Sequence, residues 1–147
     1  MRILQANESH AADFGLVGAL SWRAAYRGIV PDEYLDSLTP LNRAERFLRL
    51  IAERPEEYYI AYEHGRPVGT MVIGDAQDAD AKGMGEICAL YLLPEHWGKG
   101  LAKPLIGFGL TRLREMDHAG AVVWALEEDA RAIRFYQKVG FILDGAS

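Results

Sequence analysis

Two stretches of this chain carry residue types at spacings that can do chemistry. The first is Leu90-Tyr91-Leu92-Leu93-Pro94-Glu95-His96-Trp97-Gly98-Lys99-Gly100-Leu101-Ala102: an apolar run, a glycine turn and the opening of a helix. Backbone N–H groups at a helix start have no intrahelical partner, and the aligned peptide dipoles add partial positive charge there. Gly98 and Gly100 lack the Cβ atoms that would hold an anion away from the backbone. A pyrophosphate fits against the N–H groups of Gly98 to Lys103, with Lys99 and Lys103 adding charge. The same residues also read as an ordinary turn before a helix. The Gly-Lys-Ser/Thr ending of a Walker loop is absent, and so is the third glycine of a dinucleotide fingerprint.

The second stretch is Asp129-Ala130-Arg131-Ala132-Ile133-Arg134-Phe135-Tyr136-Gln137-Lys138-Val139-Gly140-Phe141. Ala132 and Tyr136 are four apart and share a helix face. A small residue one turn before a phenol lets a thin ligand lie along the helix with a proton donor at its end. A tyrosine, of ordinary pKa about 10, can reprotonate a leaving thiolate whose conjugate acid lies near about 8.5. The competing reading is that Phe135 and Tyr136 pack on a sheet, and for Phe135 that reading is preferred.

The elements that must position these residues follow from periodicity. Arg2 to Leu4 reads as a first strand, and Asn7 or Ser9 can cap a helix whose apolar stripe is Leu16, Val17, Leu20 and Ala24. Pro31 and Asp32 open a short helix through Tyr34, Leu35 and Leu38; Leu41, Ala44, Leu48 and Ile51 mark another that stops before Pro55. The period then changes: Tyr58 to Glu63, a turn at His64-Gly65, and Val68 to Ile73 predict a β-hairpin. Gly74 to Gly85 reads as a loop, Glu86 to Leu93 as a strand, and Leu101 to Met116 as a helix. Pro104 falls in the first turn of that helix, and Gly107 and Gly109 inside it suggest close packing on the sheet. Ala121 to Leu126 is a strand, Ala130 to Val139 a helix ended by Gly140, and Phe141 to Leu143 the start of a last strand. A hairpin followed by alternating strands and helices implies an α/β domain with a mixed sheet.

The chain has 147 residues, half of them hydrophobic and a quarter charged, which suits one domain with a real core. A formal net charge of -5 argues against nucleic acid and anionic membrane as partners. It leans weakly toward a cationic substrate, although surface charge is a poor guide to one pocket. Cys88 is the only cysteine, so no intramolecular disulfide or cysteine-cluster metal site forms, which fits a reducing, cytoplasmic setting. The start of the chain turns polar too soon for a signal peptide, and no uncharged apolar stretch approaches bilayer length. No metal is expected.

Taken together, the two chemical stretches resemble the GNAT superfamily of N-acetyltransferases. The turn at Trp97 to Ala102 is similar to the acetyl-CoA signature Gln/Arg-x-x-Gly-x-Gly/Ala, with Trp97 in place of Gln/Arg. Asp129 to Phe141 is similar to the second signature, Asn-x-x-Ala-x-x-Phe-Tyr followed by Gly-Phe, with Asp129 in place of Asn. An ionised carboxylate accepts hydrogen bonds but does not donate them. Ser21-Trp22-Arg23-Ala24-Ala25-Tyr26-Arg27-Gly28-Ile29-Val30-Pro31 resembles a bacterial subgroup, so the likeness covers nearly the whole chain.

The resemblance implies a single domain over residues 1–147, with a mixed, largely antiparallel sheet flanked by helices. Only Ile142 to Ser147 follow the Gly140-Phe141 pair, so the family's usual further strand is expected to be shortened or missing. It implies acetyl-CoA wedged where strands 86–93 and 121–126 splay apart. The backbone of Leu90, Tyr91 and Leu92 would hold the pantetheine, and an N–H near Leu90 or Leu92 would polarise the thioester carbonyl. Trp97, Gly98, Lys99, Gly100, Leu101, Ala102 and Lys103 would take the diphosphate, and Asp129 and Ala132 would flank the thin arm. Tyr136 would be the general acid. Transfer is direct, without a covalent enzyme intermediate, which makes Cys88 a core residue and His96 a turn residue.

The amine must lose a proton before it attacks, because an ammonium of pKa about 10.4 has no lone pair at neutral pH. Glu86 is the candidate base, expected to share a strand face with Cys88, Leu90 and Leu92; it reads nearly as well as a solvated strand-end glutamate. Trp22, Tyr26 and Tyr34 are candidates for the acceptor pocket and equally for the core. The acceptor is a small-molecule or peptide primary amine, and family analogy adds a homodimer. The alternative function is a non-catalytic acyl-CoA-binding or regulatory module.

Overall fold

The computed structural model describes residues 1–54, 56–76, 83–118 and 120–123. The sequence-predicted helix 130–139 and strand 141–143 lie outside the described residues. Strands β1 (Arg2–Gln5), β2 (Glu57–Glu63), β3 (Arg66–Asp75), β4 (Gly85–Leu92) and β5 (Ala121–Val123) form one sheet in sequence order. The first four pair antiparallel, and β5 runs parallel to β4. Helices α1 (Ala11–Tyr26), α2 (Asp32–Ser37) and α3 (Pro40–Glu53) precede the hairpin, and α4 (Ala102–Glu115) lies between β4 and β5. This is the mixed, largely antiparallel α/β arrangement expected.

Local chemistry sets the boundaries. Asn7 caps a 3₁₀ turn, accepting from the Ser9 N–H at 2.9 Å while its own N–H donates to His10 Nδ1 at 2.9 Å. Thr39 and Asn42 form the reciprocal box that opens α3, with Pro40 at the first helical position. The β2–β3 turn places His64 at φ 51° and Gly65 at φ 77°, two left-handed residues in succession, as a type I′ hairpin requires.

One core lies between the sheet and α4: Met71, Ile73, Ile87, Leu105, Ile106 and Leu113 are all buried in it. On the opposite face, α1 and α3 come close because Gly15 has no side chain; a Cβ there would sit 2.3 Å from the Pro40 carbonyl oxygen. Phe14 stacks on Phe47 with ring centroids 4.2 Å apart. That contact turns α3 so that Ala44 and Phe47 are buried, while Leu41 and Leu48 are 70% and 41% exposed. Of the stripe Leu41-Ala44-Leu48-Ile51 read from spacing, only Ala44 is buried and Ile51 half-buried, while Leu41 and Leu48 face outward. On α1 the buried residues are Gly15, Val17, Ala19 and Ser21, while Ala24 is exposed. Of the two α4 glycines, Gly109 faces the sheet, where a Cβ would meet Met71 Sδ at 2.8 Å, but Gly107 faces open space. No helix among the described residues is long and apolar enough to cross a membrane.

Candidate acetyl-donor and acceptor sites

The turn between β4 and α4 is held from behind. The Leu92 carbonyl accepts both the buried Ser21 hydroxyl of α1 and the Trp97 indole N–H, each at 2.9 Å. Trp97 thus has a structural task for its side chain, pinning the turn to the end of β4 and packing against the core beside α4. Beyond it, Gly98 and Gly100 take φ of 75° and 78°, and a Cβ at either would meet nothing within 4 Å. Leu101 precedes α4 with no side-chain cap, so the first amides of the helix lack that partner. Lys99 and Lys103 are exposed beside it and have no carboxylate partner among the described residues. The backbone, the open space and the two cations fit a diphosphate.

Strand β4 shows the second departure from simple spacing. Its pairing with β3 runs Met71 to Leu90 and Val72 to Ala89, then Ile73 to Ile87, so Cys88 is passed over in a bulge. Ile87 lies in the core beneath α4, and Leu90 packs against that same core three residues later. Strict alternation would have put them on opposite faces. Glu86 and Cys88 consequently lie on the other face from Leu90 and Leu92, correcting the single-face expectation. Glu86 is 6% exposed, which excludes the solvated strand-end reading. Pairing to β5 covers Gly85, Glu86 and Ile87; beyond Ile87 no described strand runs along that edge of β4.

On the α1–α3 face, β2, β3 and β4 floor a groove of about 360 Å³. Cys88, Ala89 and Tyr91 form its β4 wall, so it abuts the strand expected to hold the donor. Trp22 is at the groove, with Tyr26 at 4.6 Å, Tyr91 at 6.1 Å and Tyr34 at 6.5 Å between ring centroids. The three sequence candidates thus form one aromatic cluster, but Tyr26 and Tyr34 stand behind Trp22 and do not line the groove. Tyr34 is 51% exposed and so is not a core residue.

Cys88 also differs from expectation: its residue is exposed at the groove, not in the core. Desolvation by the surrounding walls, then the Glu86 carboxylate, push its thiol up to about 12. At neutral pH it is a neutral thiol and a poor nucleophile.

Spacing along the sequence did not single out the groove's charged residues. Arg43, Arg46 and Arg54 of α3 and its end line it, together with Glu56. Their signal was present: positions 43, 46, 47, 50 and 54 share one helical face, and that face carries arginines between Phe47 and Leu50. Burial, then the neighbouring Arg46 charge, hold the Arg43 guanidinium below its ordinary pKa. Arg43 also lies over the Trp22 ring, 5.9 Å from its centroid. Two buried polar atoms of groove-lining residues have no hydrogen-bond partner among the described residues: Trp22 Nε1 and Glu56 Oε2. An orphaned buried donor or acceptor costs about 1–3 kcal/mol, which an incoming ligand can recover. Asp129, Ala132 and Tyr136 lie outside the described residues.

Comparison with known proteins agrees with the geometry. A family model described as the acetyltransferase (GNAT) family matches residues 19–141. The chain is 29% identical over 126 residues to the uncharacterized N-acetyltransferase YuaI of Bacillus subtilis, covering 85% of this chain and 70% of that protein. Its fold is similar to the PaiA N-acetyltransferase of Thermoplasma acidophilum solved in complex with coenzyme A. There the TM-score is 0.84 at 19% identity, over 99% of this chain and 92% of that one. It is also similar to the aminoglycoside 6′-N-acetyltransferase AAC(6')-IG of Acinetobacter haemolyticus, with a TM-score of 0.77 at 16% identity, over 100% and 94% of the two chains.

Proposed function

Because the chain belongs to the GNAT family of acetyltransferases, we propose that the Gly98–Lys103 turn binds the diphosphate of acetyl-CoA and that the groove beside β4 receives the amine. The chain transfers acetyl from acetyl-CoA to an amine. Acetyl-CoA supplies the activated thioester carbonyl; everything else is the protein's work.

The backbone of Leu90, Tyr91 and Leu92 positions the pantetheine, with an N–H near Leu90 or Leu92 donating to the thioester oxygen. Since the Leu92 carbonyl already accepts from Ser21 and Trp97, the donor groups of this segment matter more than that oxygen. Trp97, Gly98, Lys99, Gly100, Leu101, Ala102 and Lys103 hold the diphosphate, and Asp129 and Ala132 border the arm. Glu86 takes the proton from the acceptor ammonium, directly or through water, while the amine nitrogen forms its bond to the acyl carbon. Tyr136 gives its phenolic proton to the sulfur as the carbon–sulfur bond breaks, and the second proton lost by the nitrogen as it becomes an amide restores the phenol. Trp22 walls the acceptor site, with Tyr26 and Tyr34 supporting it. The acceptor is a primary amine of a small molecule or peptide. A cytoplasmic setting is supported by the lone cysteine, and a homodimer by family analogy.

The observation that carries this reading is the open, left-handed glycine pair in front of the uncapped α4. Calorimetry with coenzyme A and thiol release across an amine panel test it. Tyr136→Phe is expected to lower kcat by about a hundredfold with coenzyme A binding nearly unchanged. Equal turnover in that variant removes the acid role, and no uptake of coenzyme A by folded protein removes the reading itself.

A further inference from the structure

We propose that the groove selects an acceptor whose amine stands at the far end of an extended chain from a carboxylate, such as a free amino acid with a side-chain amine, with Arg43, Arg46 and the Trp22 indole N–H receiving the carboxylate and Glu56 receiving the ammonium. This rests on the acetyltransferase reading and adds the substrate class to it.

The groove is lined by three cations of α3 and its end, Arg43, Arg46 and Arg54, and by Glu56, which shares its end with Arg54, both acting on Tyr58. At one end Trp22, Arg43 and Tyr91 come together. At the other, Glu56 lies against Gly74, whose strand partner is Glu86, and the Glu56 charge acts on Cys88. Arg46 falls between, close enough to influence both Arg43 and Tyr58. Arg43 and Arg46 are one turn apart on α3, where like charges repel. No carboxylate among the described residues forms an ion pair with either. An external carboxylate relieves that repulsion, and a guanidinium fork suits its two oxygens. Among the described residues the Trp22 N–H is a further unanswered donor at the same end, and Glu56 Oε2 an unanswered acceptor at the other. Tyr91 pairs with Thr70 and Glu86 with Gly74, so the two ends stand about 13 Å apart along the strands, and an acceptor whose amine lies at the far end of an extended side chain from its carboxylate reaches toward both. A polycation does not, because it meets the arginines. The groove's about 360 Å³ suits a small ligand. Its arginines also reverse the lean toward a cationic acceptor drawn from a net charge of -5.

The test uses the coenzyme-A-loaded protein and a panel of amino acids, each with its amide and its decarboxylated amine, plus phosphoethanolamine. Binding is followed at the Trp22 indole N–H resonance, assigned with Trp22→Phe, and KM by thiol release from acetyl-CoA. For at least one amino acid the acid is expected to bind about ten to a hundred times more tightly than its amide. Arg43→Gln should collapse that ratio toward one without changing coenzyme A affinity. Arg46→Gln, at an exposed position, should reduce it in a protein whose fold is undisturbed. Amides or amines bound as well as the acids throughout, or a ratio that survives both substitutions, overturns the inference. Tighter binding of phosphoethanolamine than of every amino acid overturns the carboxylate assignment. Coenzyme A binding and amine acetylation without acid preference would sink this inference alone, whereas loss of coenzyme A binding would sink the reading beneath it.

Discussion

Replacing Gly100 by alanine separates the turn's cost to folding from its role in binding. The residue sits at φ 78°, and an added Cβ meets nothing within 4 Å, so no clash accompanies the substitution. What remains is the left-handed strain of an L-residue, about 1–2 kcal/mol. For a domain of 147 residues this lowers Tm by roughly 2–8 °C. On the proposed diphosphate site, the methyl group would occupy open space in front of the backbone amides that a diphosphate oxygen would enter. Losing one charge-assisted contact of about 1.5–3 kcal/mol weakens coenzyme A binding about ten- to a hundredfold. Differential scanning fluorimetry reads the first effect and titration calorimetry the second. Gly107→Ala is the control: it lies in the same helix and faces open space. It should gain about 0.5–1 kcal/mol of stability and leave affinity alone. A Gly100→Ala protein that loses the expected stability yet binds coenzyme A within twofold of the parent would refute the diphosphate site.

Two other outcomes follow. With its thiol pushed up to about 12, Cys88 should alkylate at pH 8 at least a hundredfold more slowly than a free cysteine. Cys88→Ser should keep its turnover, and fast labelling or lost transfer would contradict the inert role. Arg112 grips Glu57 with two bonds of 2.8 Å and, with Tyr59, holds its carboxyl below the usual range. That stabilisation is present above the unfolded carboxyl pKa of about 4.3 and is lost as pH falls through the lower folded value. Arg112→Gln should therefore weaken urea resistance at pH 7 and converge with the parent near pH 2; equal loss at both pH values would exclude the linkage.

Much of the fold was legible because its signals are local. A change of period marked the β2–β3 hairpin and its turn at His64-Gly65, and Gly98 and Gly100 before a helix marked open backbone in front of free amides; the positive φ values at all four residues are what the structure adds. These follow from φ/ψ preferences and hydrogen-bonding needs within a few residues. The order of motifs along the chain then pointed to acetyl-CoA and to an amine.

What the sequence by itself left undecided was which way the side chains face. A period-two reading placed Glu86 with Leu90 and Leu92, and only the bulge at Cys88 moved it to the other side. A helical stripe through Leu41 and Leu48 was as regular as the true face, and the Phe14–Phe47 stack decided between them. The groove proposed for the acceptor belongs to the same class. Arg43, Arg46, Arg54, Glu56 and Trp22 come from α1, α3 and the approach to β2, and they meet only because Gly15 lets two helices close over the sheet. Local rules fix backbone conformation, but the charge of a cavity is set by segments distant in the chain, and tertiary packing alone brings them together.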